Sequence, residues 1–194
     1  DTPEMSFAIN VGACGHMLST IRAWPEPPRV LVVGSAAMYG ITEGGQEVVG
    51  EDRPLLSDTV YGTSKIVQER WALMMAGRFD LPIVCVRPFN IMGPGQPARL
   101  MPSALLAQVR EVSQGRAEKL LVGNTTTERD FTDVRDVAAA MWALMNAGDE
   151  VNGRVFNIAS GQGVKIADLV QACVALGGGE VLVEQDPARM RRAD

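Results

Sequence analysis

Val30-Leu-Val-Val-Gly-Ser35 is the stretch from which the architecture can be read. Four apolar residues, three of them β-branched, stand behind a proline-rich loop, Pro25-Glu-Pro-Pro28, and end in a glycine and a serine. An apolar run without polar alternation is what a strand buried on both faces of a parallel sheet presents. The reading therefore expects a strand over residues 29–34, with Ser35 at its C-terminal end. In open α/β sheets that end is where ligands bind.

Working outward, helical and strand signals alternate. Residues 3–23 carry Phe7, Val11, Cys14, Leu18 and Ile21 at helical spacing. Residues 40–57 read as a long loop with Gly44, Gly45 and Pro54, followed by a helix from about 59 to 78. A strand follows over 81–87, which Pro88 and the Gly93-Pro-Gly95 turn break. Residues 102–114, 134–147 and 165–176 read as helices, and 119–122, 154–159 and 181–184 as strands. This alternation predicts an α/β fold, a Rossmann-like doubly wound parallel sheet with helices on both faces. Its division is expected at residues 1–90 for the cofactor-binding part and 91–194 for a small α/β lobe, with 132–159 returning to the sheet. A dinucleotide fold opens with a strand, a glycine-rich turn and a helix. No G-x-G-x-x-G follows any strand here, and Gly12-Ala-Cys-Gly15 lies inside a helix pattern. The sequence thus reads as a piece of a longer protein lacking the first strands of its sheet; an unusual complete chain is the alternative.

The bulk numbers exclude several classes. The 194 residues are 46% hydrophobic and 21% charged, with a net charge of −5. An acidic chain argues against nucleic acid or an anionic membrane as partner. No run approaches the ~18 apolar residues of a membrane span, and the first residues lack the basic and apolar regions of a signal peptide. Cys14, Cys85 and Cys173 show neither a pairing pattern nor metal-ligand spacing. They read as buried free thiols of a reducing cytosol, and a cytoplasmic location is expected. His16 is the single histidine, which argues against a histidine-based triad or a metal site. The ten methionines read as core filler.

The chemistry concentrates at Tyr61-Gly-Thr-Ser-Lys65. On a helix, positions i and i+4 share a face, so the phenol and the ammonium point into one space. A nearby cation favours the phenolate and lowers a tyrosine pKa from its reference of about 10. Such a phenol can give or take a proton at a carbonyl or alcohol, and the Ser35 hydroxyl can hydrogen-bond the same oxygen. That set is what hydride transfer at an alcohol or carbonyl carbon asks of a protein. A surface i,i+4 pair is the bland alternative.

Five motifs in order carry a resemblance. They are Asn10-Val-Gly12, Val32-Val-Gly-Ser-Ala-Ala-Met-Tyr-Gly40, Tyr61-Gly-Thr-Ser-Lys65, Arg87-Pro-Phe-Asn-Ile-Met-Gly-Pro-Gly-Gln96 and Arg129-Asp-Phe-Thr-Asp-Val-Arg-Asp-Val137. Together they resemble the extended short-chain dehydrogenase/reductases, the NAD(P)-dependent sugar-nucleotide epimerase/dehydratase group. Val122-Gly-Asn124 and Asp186-Pro-Ala-Arg-Met-Arg191 make the chain most similar, within that group, to the GDP-4-keto-6-deoxy-D-mannose reductases. Two departures stand out: Arg191-Arg192 where the group usually has Arg-Pro, and Ala36-Ala37 where many members have an acidic residue after the serine.

The resemblance implies a catalytic Ser35, Tyr61 and Lys65, with NADP or NAD as cofactor. It sets Tyr61, Lys65, Gly34 and Pro88 against the cofactor. Ser35, Ala36, Asn90, Arg129 and Arg191 would contact a nucleotide-sugar substrate, the two arginines clamping its diphosphate. It also implies a homodimer through the first helix and the Tyr61 helix. Alternatives stay open: Pro88 and Asn90 as a plain turn, Arg129 paired with Asp130 or Asp133, and Arg189, Arg191 and Arg192 as a solvated basic end. Asn10 would orient the site or be satisfied locally. A 4,6-dehydratase needs a further carboxylate to take the C5 proton and expel water at C6. Ala36 and Ala37 supply none, which favours a reductase or a 4-epimerase over a dehydratase; the resemblance makes a reductase of the GDP-D-rhamnose-forming type the leading reading. The rivals are a UDP-glucose 4-epimerase-like enzyme, then a dehydratase or a non-catalytic cofactor-binding relative.

Overall fold

The computed structural model of the protein describes residues 2–40, 48–177 and 181–190. In chain order, α1 (Pro3–Phe7) runs through a π-helical stretch, Ala8–Ala13, into α2 (Cys14–Ile21). Strand β1 (Val30–Val33), a 3-10 turn Ala36–Tyr39, α3 (Val60–Phe79), β2 (Ile83–Pro88) and β3 (Asn90–Met92) follow. Then come α4 (Met101–Ser113), β4 (Lys119–Val122), β5 (Glu128–Asp133), α5 (Val134–Met145) and β6 (Val155–Ile158). The chain finishes with β7 (Gly163–Lys165), α6 (Ile166–Leu176), β8 (Leu182–Gln185) and a 3-10 turn Pro187–Arg189. It divides into two compact units, one of Asp1–Ile91 with Thr132–Ser160 and one of Met92–Phe131 with Gly161–Asp194.

The first unit is built on a parallel sheet in the order β1-β2-β6. Val30 to Val33 stand opposite Ile83 to Val86, and Cys85 to Pro88 opposite Val155 to Ile158. Successive side chains of a strand point to opposite faces, and helices lie on both faces of the sheet. Val30, Val32, Ile83 and Cys85 pack against Leu18 and Ile21 of α2 and Ala72, Met75 and Ala76 of α3. Val86 and Ile158 pack with Val137 of α5, and Leu31, Ala140 and Leu144 lie against them. Each such side chain, fully buried, contributes on the order of 1.5–3 kcal/mol. The central strand β2 is buried along its whole length.

The expectation for β1 needs correcting. Its burial alternates, with Leu31 half-buried and Val33 37% exposed. The physical reason is that among the described residues β1 is an edge strand, and α5 on its second face has its apolar contacts mainly on β2 and β6. The helix expected over 3–23 is also not uniform, since it carries the π stretch. The strand expected to stop before Pro88 includes it, because the proline sits at the strand's last position, facing β6.

Arg29 closes the C-terminal end of α5. Its guanidinium donates to the carbonyls of Leu144 (3.4 Å), Met145 (3.3 Å), Ala147 and Gly148 (2.9 Å), and its Nε to Asn152 Oδ1 (3.1 Å). These are carbonyls a helix end leaves without partners.

The second unit has its own core of Leu105, Val109, Leu120, Val122, Ile166, Val170 and Cys173, with Phe131 and Val181 against it. Strand β4 pairs with β8 in parallel, and β5 with β7 antiparallel. The sequence reading did not foresee β3, β5 or β7. The three cysteines are free and buried. The methionines are not uniformly core: Met38 and Met75 are buried, while Met5, Met17, Met74, Met145 and Met190 are exposed. Among the described residues, no helix is long and apolar enough to cross a membrane and no cluster of metal-ligating side chains exists.

Candidate active site

The chain leaves β1 through Gly34, whose N–H donates to the Val86 carbonyl at 2.7 Å. A Cβ there would lie 3.0 Å from both Met38 Sδ and the Val86 carbonyl oxygen, so the close approach depends on glycine. Ser35 takes an extended conformation and caps the 3-10 turn, its Oγ accepting from the Ala37 N–H at 3.2 Å. The Ser35 side chain is partly exposed at the C-terminal end of the strand.

Helix α3 starts at Thr59, whose Oγ1 accepts from the Gly62 N–H at 3.0 Å. Its first two turns carry Tyr61 and Lys65. Tyr61 is 48% exposed, and its hydroxyl has no hydrogen bond among the described residues. The Lys65 Nζ lies 6.0 Å from the Tyr61 ring centroid, donates to the Val33 carbonyl at 2.8 Å and to Gln68 Oε1 at 3.0 Å. An ammonium has three N–H groups, so one more is available. Burial pushes the Lys65 ammonium below its ordinary value, and the nearby Cys14 acts in the opposite direction. Gly62 lets the Ser35 turn come against this helix: a Cβ on it would overlap the Ser57 side chain and lie 2.8 Å from the Ala37 carbonyl oxygen. Ser35, Tyr61 and Lys65 are thereby assembled around one strand end.

Asn10 sits in the π stretch, and such stretches recur at functional sites. Its Nδ2 donates to Ser64 Oγ at 2.9 Å, and Ser64 donates to the Tyr61 carbonyl at 2.7 Å. Asn10 thus reaches the backbone of the Tyr61 residue through one buried hydroxyl.

Below this surface lies a polar network that the sequence reading missed. Glu69 and Arg87 are 2% and 4% exposed and form a two-pronged pair, Nε–Oε2 2.9 Å and Nη2–Oε1 2.6 Å. Arg87 Nη1 also donates to the Tyr39 hydroxyl (2.7 Å) and the Glu51 carbonyl (2.9 Å). Burial alone would lower the guanidinium's pKa, but its bonds to Glu69 and Tyr39 outweigh that and hold it above the ordinary value. The signal was present: an arginine inside an otherwise apolar strand demands a partner.

The remaining expected residues fall as follows. Ala36 opens the 3-10 turn directly after Ser35. Pro88 is buried at the end of β2, and Phe89 N–H donates to the Ile158 carbonyl at 2.9 Å. Asn90 is exposed on β3. Arg129 lies on β5 of the second unit and donates from Nη1 to the Glu128 carbonyl at 2.9 Å. Asp133 pairs with Arg135 at 2.7 Å, and Asp130 accepts from the Gly161 N–H at 2.7 Å. Arg189 pairs with Asp186 at 3.4 Å, in a turn resting against Gly123, where a Cβ would lie 2.6 Å from the Arg189 carbonyl oxygen. Arg191 and Arg192 lie outside the described residues.

Comparison with known proteins shows which family and fold the chain shares. A family model described as the NAD dependent epimerase/dehydratase family matches residues 1–159. A GDP-6-deoxy-D-mannose reductase of Pseudomonas aeruginosa is 31% identical over 193 residues, 99% of this chain and 63% of that protein. A UDP-glucose 4-epimerase of Corynebacterium glutamicum is 26% identical over 200 residues, 97% of this chain and 60% of that protein. Among solved structures, RMD from Pseudomonas aeruginosa complexed with NADPH superimposes with a TM-score of 0.90 at 29% identity, covering 100% of this chain and 64% of that one. MoeE5 in complex with UDP-glucuronic acid and NAD gives a TM-score of 0.80 at 29% identity over 95% of this chain and 59% of that one. The chain therefore spans less than two thirds of the length of each of these relatives.

Proposed function

Because the chain belongs to the NAD-dependent epimerase/dehydratase family, we propose that it carries the proton-transfer groups of a nucleotide-sugar oxidoreductase. The whole protein reduces a nucleotide-diphospho-4-keto-6-deoxyhexose at C4 with NADPH or NADH, of the type GDP-4-keto-6-deoxy-D-mannose to GDP-D-rhamnose. The observation that carries this reading is the assembly of Ser35, Tyr61 and Lys65 around the end of β1, with Lys65 bound to the Val33 carbonyl. Similarity to a GDP-6-deoxy-D-mannose reductase supports the choice of substrate.

The residues present suit the nicotinamide-ribose end of such a cofactor: a half-buried ammonium with an N–H to spare, and a strand end without a side chain at Gly34. When bound, the cofactor supplies hydride to C4. Tyr61 gives its phenolic proton to the ketone oxygen, from an exposed position where no acceptor among the described residues competes. Ser35 donates a second hydrogen bond to the same oxygen. Lys65 holds ribose hydroxyls with its remaining N–H and offsets the charge left on the Tyr61 oxygen. Pro88 ends the adjacent strand β2 and Asn90 opens β3 just beyond it; in this reading Asn90 serves the sugar and Pro88 the nicotinamide. By the family resemblance, Arg129 and Arg191 would hold the diphosphate as bidentate donors. Exposed apolar residues at helical spacing support a homodimer through the first helices and α3: Met5, Ile9 and Met17 on one, Val60, Val67, Trp71 and Met74 on the other. The three free thiols accord with the cytosol.

Ala36 and Ala37 put no carboxylate directly after Ser35 in the sequence, where a dehydratase would need one. A 4-epimerase is the second reading, favoured by the similarity to UDP-glucose 4-epimerase; it would use the same three residues with no net consumption of nicotinamide. The deciding assay mixes the full-length gene product with NADPH or NADH and GDP-4-keto-6-deoxy-D-mannose and follows nicotinamide oxidation. Stoichiometric oxidation is expected. Tyr61→Phe should cut kcat by about 10²–10⁴-fold, and Arg129→Ala should act on the KM for the sugar nucleotide. No oxidation by the unaltered protein would overturn the GDP-sugar reductase reading in favour of a 4-epimerase or a different nucleotide sugar.

A further inference from the structure

We propose that Tyr39 is a positioning residue, whose hydroxyl fixes the Ser35 turn relative to the helix that carries Tyr61 and Lys65. Tyr39 is the last residue of the 3-10 turn that Ser35 caps, and it is 3% exposed. Its hydroxyl accepts from Arg87 Nη1 and donates to Asn157 Oδ1, both at 2.7 Å. Its ring stands 5.0 Å from the Arg87 guanidinium and 6.4 Å from the Phe89 ring.

From Arg87 the connection runs directly to the reactive helix. Glu69, which takes both prongs of the guanidinium, lies four residues after Lys65 and eight after Tyr61, on the same helix face. The same hydroxyl reaches the other way through Asn157, whose N–H donates to Glu51 Oε1 at 2.8 Å and whose Nδ2 donates to the Val49 carbonyl at 2.8 Å. The turn and the helix that supply reacting groups are thus joined by three hydrogen bonds through one side chain, one from Arg87 to Tyr39 and two from Arg87 to Glu69.

Packing holds the turn as well: Met38 is fully buried and the turn lies close against strand, loop and helix at Gly34, Gly40 and Gly62. Hydrogen bonds add an angular constraint that van der Waals contact lacks. A buried ion pair is weak evidence for stability, because apolar residues of similar volume often serve as well. What the pair adds is direction, and proton transfer needs groups held within about 0.5 Å of their productive geometry. The inference rests on the reading of Ser35 and Tyr61 as the groups that meet substrate oxygen.

The test uses Tyr39→Phe in the full-length gene product, which keeps the ring and removes the hydroxyl. Amide exchange of residues 35–40 should accelerate by about tenfold or more while that of Ile83–Val86 is unchanged, since only a local opening is made easier. Nicotinamide oxidation should show kcat lowered by about tenfold with both KM values within about twofold, the signature of misalignment rather than lost binding. A lower melting temperature with unchanged exchange in the turn and unchanged kcat would overturn the proposal. Asn157→Ala removes the acceptor and leaves ring and guanidinium; it should give the same pattern and is decisive if Tyr39→Phe does not fold. Absence of turnover in the unaltered protein would sink the proposed reaction, and the exchange measurement would still decide the role of Tyr39.

Discussion

Gly62 puts two residue-scale effects in opposition. In a helix interior, alanine is favoured over glycine by about 1 kcal/mol, so propensity alone would make Gly62→Ala stabilising. The new methyl would overlap the Ser57 side chain and crowd the Ala37 carbonyl at 2.8 Å, and overpacking of this kind costs about 1–3 kcal/mol. We expect net destabilisation in urea unfolding; a raised midpoint would show that this approach constrains nothing. The same scale explains what could be read in advance. Tyr61 and Lys65 are legible because their relation is fixed by local helical geometry. Ser35 is legible because it ends an apolar strand. Arg87 was visible only as part of a motif, because its partners come from Glu69, 18 residues away, and Tyr39, 48 residues away; no local periodicity encodes such distances.

Elements with strong apolar periodicity were read well, α3, α4 and α6 to within a residue or two at each end. Those missed are short or polar. Glu128–Asp133 has four charged residues in six, so β5 shows no alternation and owes its pairing to β7; Gly163–Lys165 is three residues long. The π stretch in the first helix leaves no mark in a periodicity that counts only apolar positions. Helix α5 illustrates how a terminus can be tested. Asp133 caps it, accepting from the Arg135 N–H at 2.8 Å and pairing with its guanidinium. Its carboxyl is lowered from 3.8 to about 2, first by the side-chain bond to Arg135 and then by the backbone bond. A depressed carboxyl stabilises above its unfolded value and loses that contribution as pH falls through the folded one. Melting temperature should therefore decline from pH 4 to 2 less steeply in Asp133→Asn than in the unaltered protein. Identical slopes would remove Asp133 from the account of acid sensitivity.

At the scale of the molecule, each unit closes its own core, and the chain passes between them at 91/92, 131/132 and 160/161. The doubly wound plan was legible because apolar strands and amphipathic helices alternate. The exposure of one β1 face was not, since burial depends on how much helix covers each side. The apolar stripes on the first helices and α3 lead to a prediction at this scale. If the proposed homodimer forms through them, the full-length protein should sediment as a dimer and Ile9→Glu with Met74→Glu should convert it to a monomer in sedimentation velocity. An unaltered sedimentation coefficient would exclude those helices as the contact.

Burial raises all three thiols, Cys85 to about 12 and Cys14 and Cys173 in the same direction. Since the thiolate is the reactive form, alkylating reagents meet almost none of it while the cores stay closed. Cys14 and Cys85 belong to the first unit and Cys173 to the second. The molecule therefore holds its own opening recorders: a tag on Cys173 alone marks a breath of one half, and tags on all three mark a chain that has come apart.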